Sequence, residues 1–228
     1  MKMEISFKGK QHLSHVILMS VRWYVAYSLS YRDIEELLLE RGLKIDHSTI
    51  NRWVIEYSPQ LAENFRKKKK SIGNSWRMDE TYIKVKGYWM YQYRAVDKEG
   101  QTIDCYFSKK RDKKSAIKFF VKAIKSSGIP VKINMDKSGS NIAALEDINE
   151  CLSEKEQIEI RQNKHLNNII EQEHRFIKKI TRPMLGFKSE HSANATLNGI
   201  ELHRMLRKKQ LKNSGNRNII EQFFSLVA

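Results

Sequence analysis

Asp79, Asp136 and Glu171 are the residues whose types and placement could do chemistry in this sequence. Asp79 sits in a stretch, Arg77 to Val85, that alternates roughly as a strand, and Asp136 closes a shorter strand, Val131 to Asp136. Glu171 lies about one turn into a helix with two distinct faces. Three acids gathered within a few ångströms cannot all stay ionised without cations. Two Mg²⁺ ions relieve that repulsion, and carboxylate and phosphate oxygens are the ligands Mg²⁺ accepts. Such a pair activates an attacking oxygen and stabilises the leaving one in a phosphodiester displacement. Each acid also has an ordinary reading: Asp79 with Glu80 as a strand-edge pair, Asp136 before Lys137 as a turn residue, Glu171 as a surface acid. Only their convergence would lift them above it.

The helix that carries Glu171 runs from Lys164 to Lys179. Ile169, Ile170, Phe176, Ile177 and Ile180 recur at helical spacing and face inward. Glu171, Arg175 and Lys178, at i, i+4 and i+7, share another face, where a carboxylate and two cations suit a metal beside a phosphate backbone. An exposed i,i+4 ion pair is the plain alternative. Upstream, the order is three strands joined by hairpins (77–85, 88–96, 102–107), a helix (115–126), a strand (131–136), a helix (141–150), a short strand (157–160) and then this helix. That order predicts an α/β domain of ribonuclease-H-like type, a mixed sheet covered by helices, in which the first and fourth strands can be neighbours.

The N-terminal third has a different rhythm. Residues 11–28 read as an amphipathic helix, and Ser30-Tyr31-Arg32-Asp33 is a capping box opening another, with Gly42 as its stop. A further helix starts near His47, with Ile50, Trp53, Val54 and Tyr57 at helical spacing. The pair reads as helix-turn-helix, all-α, with the second helix in a DNA major groove and His47, Ser48, Thr49, Asn51 and Arg52 on its early turns. A plain helical hairpin fits the same pattern. Pro59 and Arg66-Lys67-Lys68-Lys69-Lys70 mark a boundary, and a last amphipathic helix runs from Ala195 to Lys208. The expected division is residues 1–65 helical, 66–75 a basic linker, 76–190 the ribonuclease-H-like domain and 191–228 a helical tail.

The 42 Lys and Arg against 26 Asp and Glu give a net charge of +16. Residues 1–75 hold 13 basic and 8 acidic side chains, 76–160 hold 16 and 13, and 161–228 hold 13 and 5, so the excess lies on the flanks. A polyanion gripped from both sides fits, and nucleic acid suits better than a membrane surface. The most apolar stretch, Val16 to Leu29, is interrupted by Arg22 and too short to span a bilayer, and the start lacks the apolar core of a signal peptide. Cys105 and Cys151 stand apart without a paired motif, so a cytoplasmic protein with reduced thiols is expected.

Several runs together resemble bacterial insertion-sequence transposases of the insertion-sequence-six family: Ser30 to Ile34, His47 to Val54, Trp76 to Lys84, Tyr93 to Asp97, Asp136-Lys137-Ser138 and Leu166 to Arg175. The resemblance covers nearly the whole chain. It implies an Asp-Asp-Glu transposase in which Asp79, Asp136 and Glu171 hold two Mg²⁺ ions, with Mn²⁺ able to substitute. Thirty-four residues separate Asp136 from Glu171, which is the family's spacing. The family's basic residue seven positions past the glutamate falls on Lys178, and Arg175 fills the position four past it that related integrases use. Glu173 is the rival to Glu171, flanked by Ile170, Phe176 and Ile177 and open to a packed role. Glu190 departs from the family, which tends to carry an aromatic there.

The implied activity is Mg²⁺-dependent 3′-end cleavage and strand transfer at the terminal inverted repeats of an insertion sequence, forming cointegrates. The implied partners are double-stranded DNA, as terminal repeats and target, and at least one further copy of the chain, associated with the nucleoid and not with a membrane. Two other classes remain open at this stage. A catalytically inactive DNA-binding regulator derived from a transposase would bind without cutting, and a ribonuclease-H-like nuclease would cut without joining.

Overall fold

From Ser14 the apolar residues recur every three or four positions, and the chain answers with helices. The computed structural model describes residues 5–163 and 168–227. Helices α1 (Ser14–Ala26), α2 (Tyr31–Leu39) and α3 (His47–Lys67) come first. The Ser30–Asp33 capping box forms with both reciprocal hydrogen bonds, and Gly42 at φ 74° turns the chain after α2. Asp46 then caps α3 by accepting from the Ser48 backbone N–H. The buried faces are Ile17, Val21 and Val25 on α1, Ile34 and Leu38 on α2, and Ile50, Val54, Leu61 and Phe65 on α3.

Two boundary expectations give way here. Pro59 lies inside the 21 residues of α3 instead of ending it. Tyr57, Leu61, Ala62 and Phe65 are buried on both sides of it, and their packing outweighs the missing backbone hydrogen bond. The basic run is not a free linker either. Arg66 and Lys67 complete α3, the Lys70 N–H donates to the Gln210 carbonyl at 2.8 Å, and the Lys212 N–H donates to the Lys68 carbonyl at 2.8 Å.

The segment paired with that run follows α7 (Glu190–Arg207), the long helix of the expected tail. Residues 191–228 do not stand alone: one compact unit comprises Met1–Lys70 with Ile177–Ala228, and the other Ser71–Phe176. In the first unit α7 buries Ala193, Leu197, Ile200, Leu202 and Leu206, and Gly199 is its contact point with α1 and α3. A β-carbon on Gly199 would lie 2.5 Å from Val25 Cγ1 and 2.9 Å from Ser58 Oγ. Glu190, where the family tends to an aromatic, opens α7 as an acid in its first turn, the end where the helix dipole favours negative charge. Helix α8 (Ile219–Phe224) completes this unit.

The second unit opens where the period changes from helical to alternating. Strands β1 (Ser75–Val85), β2 (Tyr88–Asp97) and β3 (Thr102–Ser108) form two antiparallel hairpins. Lys86 and Gly87, at φ 51° and 85°, make the first two-residue turn. Asp97 organises the second by accepting from the Glu99 and Gln101 N–H groups at 3.1 and 2.7 Å. Then follow α4 (Lys113–Ser127), β4 (Lys132–Asn134), α5 (Gly139–Glu150), β5 (Glu159–Arg161) and α6 (Asn168–Thr181), whose end passes into the first unit. Residues 164–167, the expected start of α6, lie outside the described residues.

The five-stranded sheet has the order β3-β2-β1-β4-β5, with β1, β4 and β5 parallel. Trp76, Met78, Tyr93 and Ala95 form a core with Phe119, Phe120, Ala123, Ala144 and Leu145 of α4 and α5. The alternate positions Asp79 and Arg94 therefore point to the opposite face. Among the described residues no helix is long and apolar enough to cross a membrane.

Replacing Gly199 by alanine tests the packing of α7. In an exposed helix that change gains up to about 1 kcal/mol; here it is expected to cost ~1–3 kcal/mol in urea unfolding, because Val25 and Ser58 must move.

Candidate active site

Asp79 and Asp136 meet because β1 and β4 are parallel neighbours. Trp76 pairs with Ile133 and Arg77 with Asn134, so Asp79 and Asp136 each lie two residues beyond the last pair. Carboxylate oxygens of Asp79, Glu80 and Asp136 all lie within 4.8 Å of one another. Of the three acids expected to converge, Asp79 and Asp136 are brought together, and the third carboxylate beside them is Glu80, not Glu171.

Glu80 points to the helical face of the sheet. Its Oε1 accepts from Asn141 Nδ2 at 2.9 Å and its Oε2 from Arg111 Nη2 at 3.3 Å. Burial pushes the Glu80 carboxyl upward from its ordinary value, with Asn141 and Arg111 opposing and Asp79 adding to the rise. Arg111, on the loop between β3 and α4, also reaches Asp136 Oδ2 at 3.5 Å. One guanidinium therefore offsets two of the three acids.

On the other face, α6 is tied to the sheet beside Asp79. Arg94, which pairs with Asp79 across β1 and β2, is fully buried and donates to Glu173 Oε2 at 2.9 Å and Thr102 Oγ1 at 3.2 Å. One residue on, His174 Nε2 donates to Asp79 Oδ2 at 3.2 Å. Glu173 is therefore a docking residue, committed to Arg94 and away from solvent.

Glu171 lies on α6 and is exposed; its carboxylate is not in the cluster formed by the other acids. It precedes His174 by three positions, ~4.5 Å along the axis and on a neighbouring azimuth. Arg175 is exposed and Lys178 half-buried further along α6.

The predicted DNA-contact residues of α3 sit at its start. Ser48 and Arg52 are exposed, and His47, Thr49 and Asn51 half-exposed. His47 Nδ1 lies 3.0 Å from Glu35 Oε2, and Arg52 Nη2 donates to Thr49 Oγ1 at 2.8 Å.

Reasoning from the sequence missed Arg94, Arg111 and His174. Arg94 is a charge in the inner half of β2, where Gln92 to Asp97 are all buried, and a charge there needs a buried partner. Nothing local marks Arg111 or His174, whose partners lie 31 and 95 residues away.

A sheet of this order, with acids gathered where β1 and β4 run side by side and helices on both faces, is a ribonuclease-H-like fold. Its acid site has the makings of a polynucleotidyl transferase. The family model DDE_Tnp_IS240, described as a DDE domain, matches residues 73–210. The transposase for insertion sequence-like element IS431mec of Staphylococcus aureus strain Mu50 is 44% identical over 204 residues, 89% of each chain. The transposase for insertion sequence element IS257 in transposon Tn4003, also from Staphylococcus aureus, matches to the same extent. Among solved structures, the HTLV-2 integrase catalytic core domain in complex with magnesium is 20% identical, with a TM-score of 0.45, over 58% of this chain and 86% of that one. The chain belongs to the insertion-sequence-six family of Asp-Asp-Glu transposases, enzymes that transfer polynucleotide strands.

The two glutamates of α6 separate by their environments. Glu173→Ala leaves Arg94 buried without its carboxylate and is expected to cost ~3–5 kcal/mol in urea unfolding. Glu171→Gln, on an exposed position, is expected to stay within about 0.5 kcal/mol of the parent. The reverse ranking would show the helix to be seated differently.

Proposed function

We propose that this transposase uses Asp79, Asp136 and Glu171 to cut the 3′ ends of its insertion sequence and join them to target DNA. The observation that supports the reading is the meeting of Asp79 and Asp136, with α6, the helix that bears Glu171, docked by Arg94 beside Asp79. The donor set fits a hard divalent cation. Asp79 and Asp136, with Glu80 beside them, each offer a carboxylate oxygen within 4.8 Å of the others, and Arg111 reaches Glu80 and Asp136 while none of its contacts is to Asp79.

Asp79, Asp136 and Glu171 would hold two Mg²⁺ ions, which when bound lower the pKa of an attacking oxygen and stabilise the leaving one. Mn²⁺ carries the same ligand preferences and substitutes. His174 fixes the Asp79 carboxylate by donating to Oδ2, an orienting role of the kind that tunes metal ligands. Water attacks the phosphodiester at the element end and frees a 3′-hydroxyl, and that hydroxyl then attacks the target strand. No serine or tyrosine intermediate is needed. The cointegrate is the product this order of events gives in the family.

Arg175 and Lys178 hold phosphates near the reacting end. His47, Ser48, Thr49, Asn51 and Arg52 at the start of α3 contact the terminal inverted repeats, with residues 1–65 as the recognition region and 76–190 as the catalytic one. A dimer or larger assembly follows from the need to hold two ends together. A net charge of +16 supports the polyanionic partner and a place on the nucleoid.

The test is joining of labelled element ends to target DNA across a Mg²⁺ titration. Asp79→Asn, Asp136→Asn and Glu171→Gln are each expected to lower joining by about 10³-fold or more while end binding persists. Glu80→Gln is expected to lower it by about tenfold or less, since Glu80 is committed to Asn141 and Arg111. Joining at the parent rate by the Glu171→Gln protein removes that residue from the site.

A further inference from the structure

The acid cluster continues outward into a strip of aromatic rings. Strand register places Glu80, Tyr82 and Lys84 on one face of β1, opposite Tyr93, Tyr91 and Trp89 of β2. Tyr93, at the inner end, is fully buried in the core. Outward the strip is open to solvent: Tyr82 is 47% exposed and Trp89 60%. Their rings form a chain, with Tyr82 5.4 Å from Tyr91 and 6.3 Å from Trp89 between centroids. At ~3.3 Å per residue, Tyr82 lies about 7 Å and Lys84 about 13 Å beyond Glu80. On the other side of β1 the pairing with β4 ends at Arg77.

Exposed rings without a core to join require a reason. The charge around them supplies one. From Thr81 to Val96 the hairpin carries no acid, and its exposed charges are Lys84 and Lys86. Aromatic faces interleaved with cations, leading away from a site for phosphodiester chemistry, match a single strand of nucleic acid. Bases inside a duplex have their faces covered by neighbours, whereas unpaired bases can stack on a side chain.

We propose that Tyr82, Tyr91 and Trp89, with Lys84, form a stacking platform for unpaired nucleotides next to the scissile phosphate. This deepens the proposed DNA-joining function and rests on it. The platform, on the Glu80 face of β1, holds the frayed strand open so that a single phosphodiester reaches the sheet edge where Glu80, Asp79 and Asp136 meet.

The test uses the full chain in EDTA, so that no chemistry intervenes. Fluorescence anisotropy compares a labelled blunt duplex with the same duplex bearing a four-nucleotide single-stranded overhang. The parent is expected to favour the overhang. The Tyr82→Ala/Trp89→Ala protein is expected to lose about tenfold in affinity for the overhang and under about twofold for the blunt duplex. Trp89→Phe, which keeps a ring, is expected to retain the preference and to lose the tryptophan quenching that oligo-dT causes in the parent. Equal losses on both duplexes overturn the platform in favour of a plain phosphate contact. Unchanged affinity with an altered oligomeric state by light scattering overturns it in favour of an interface with a second copy. Binding to neither duplex by the parent overturns this reading and the DNA-joining function together, whereas failed joining with the overhang preference intact overturns only the latter.

Discussion

The buried ion pair of Arg94 and Glu173 is the interaction on which the arrangement of this site depends. Neither group could be left there alone, since an unpaired buried charge costs several kcal/mol. Their attraction at 2.9 Å therefore fixes where α6 sits on the sheet. Because Arg94 is directly across from Asp79, the same contact fixes α6 relative to the first acid of the site, and His174 adds a direct hydrogen bond. The pair is a weak source of net stability and a strong source of position. A hydrophobic pair of similar volume would hold a helix against a sheet but would tolerate sliding by a turn.

Charge placement follows a consistent logic around that anchor. Acids concentrate where β1 and β4 run side by side, each with a compensating group: His174 for Asp79, Asn141 and Arg111 for Glu80, and Arg111 again for Asp136. Such partial compensation keeps the cluster folded and still leaves it attractive to cations. In the same unit as the acids, Lys84 and Lys86 of the β1–β2 hairpin and Arg175 of α6 are exposed cations. A polyanion drawn by the basic excess would meet the acids of the sheet edge where divalent ions could mediate.

Much of this was legible in the sequence, and the misses share a cause. Alternation gave the hairpins β1–β3, and the order of elements put β1 beside β4, because each strand has one face to bury and few places to do so. The capping box at Ser30 and the helix start near His47 were local signals and appear where expected. What periodicity does not carry is the identity of the partner. An amphipathic α7 had to bury a face, but nothing in its residues said that the face belonged against α3 instead of forming a separate tail. Pro59 reads as a breaker locally and is overruled by the packing of Tyr57 and Leu61. Glu171 and Glu173 are two positions apart, which on a helix is nearly opposite faces; the family's spacing favours Glu171 for the site, and the buried Arg94 supplies the separate role of Glu173.

The central claim is that α6, anchored through Glu173, presents Glu171 to ions held by Asp79 and Asp136. Anomalous scattering from crystals soaked in Mn²⁺ tests it most directly. The account predicts metal peaks ligated by Asp79, Asp136 and Glu171, with the Arg94–Glu173 contact unchanged. Ions held by Asp79, Glu80 and Asp136, with Glu171 turned to solvent, would contradict it.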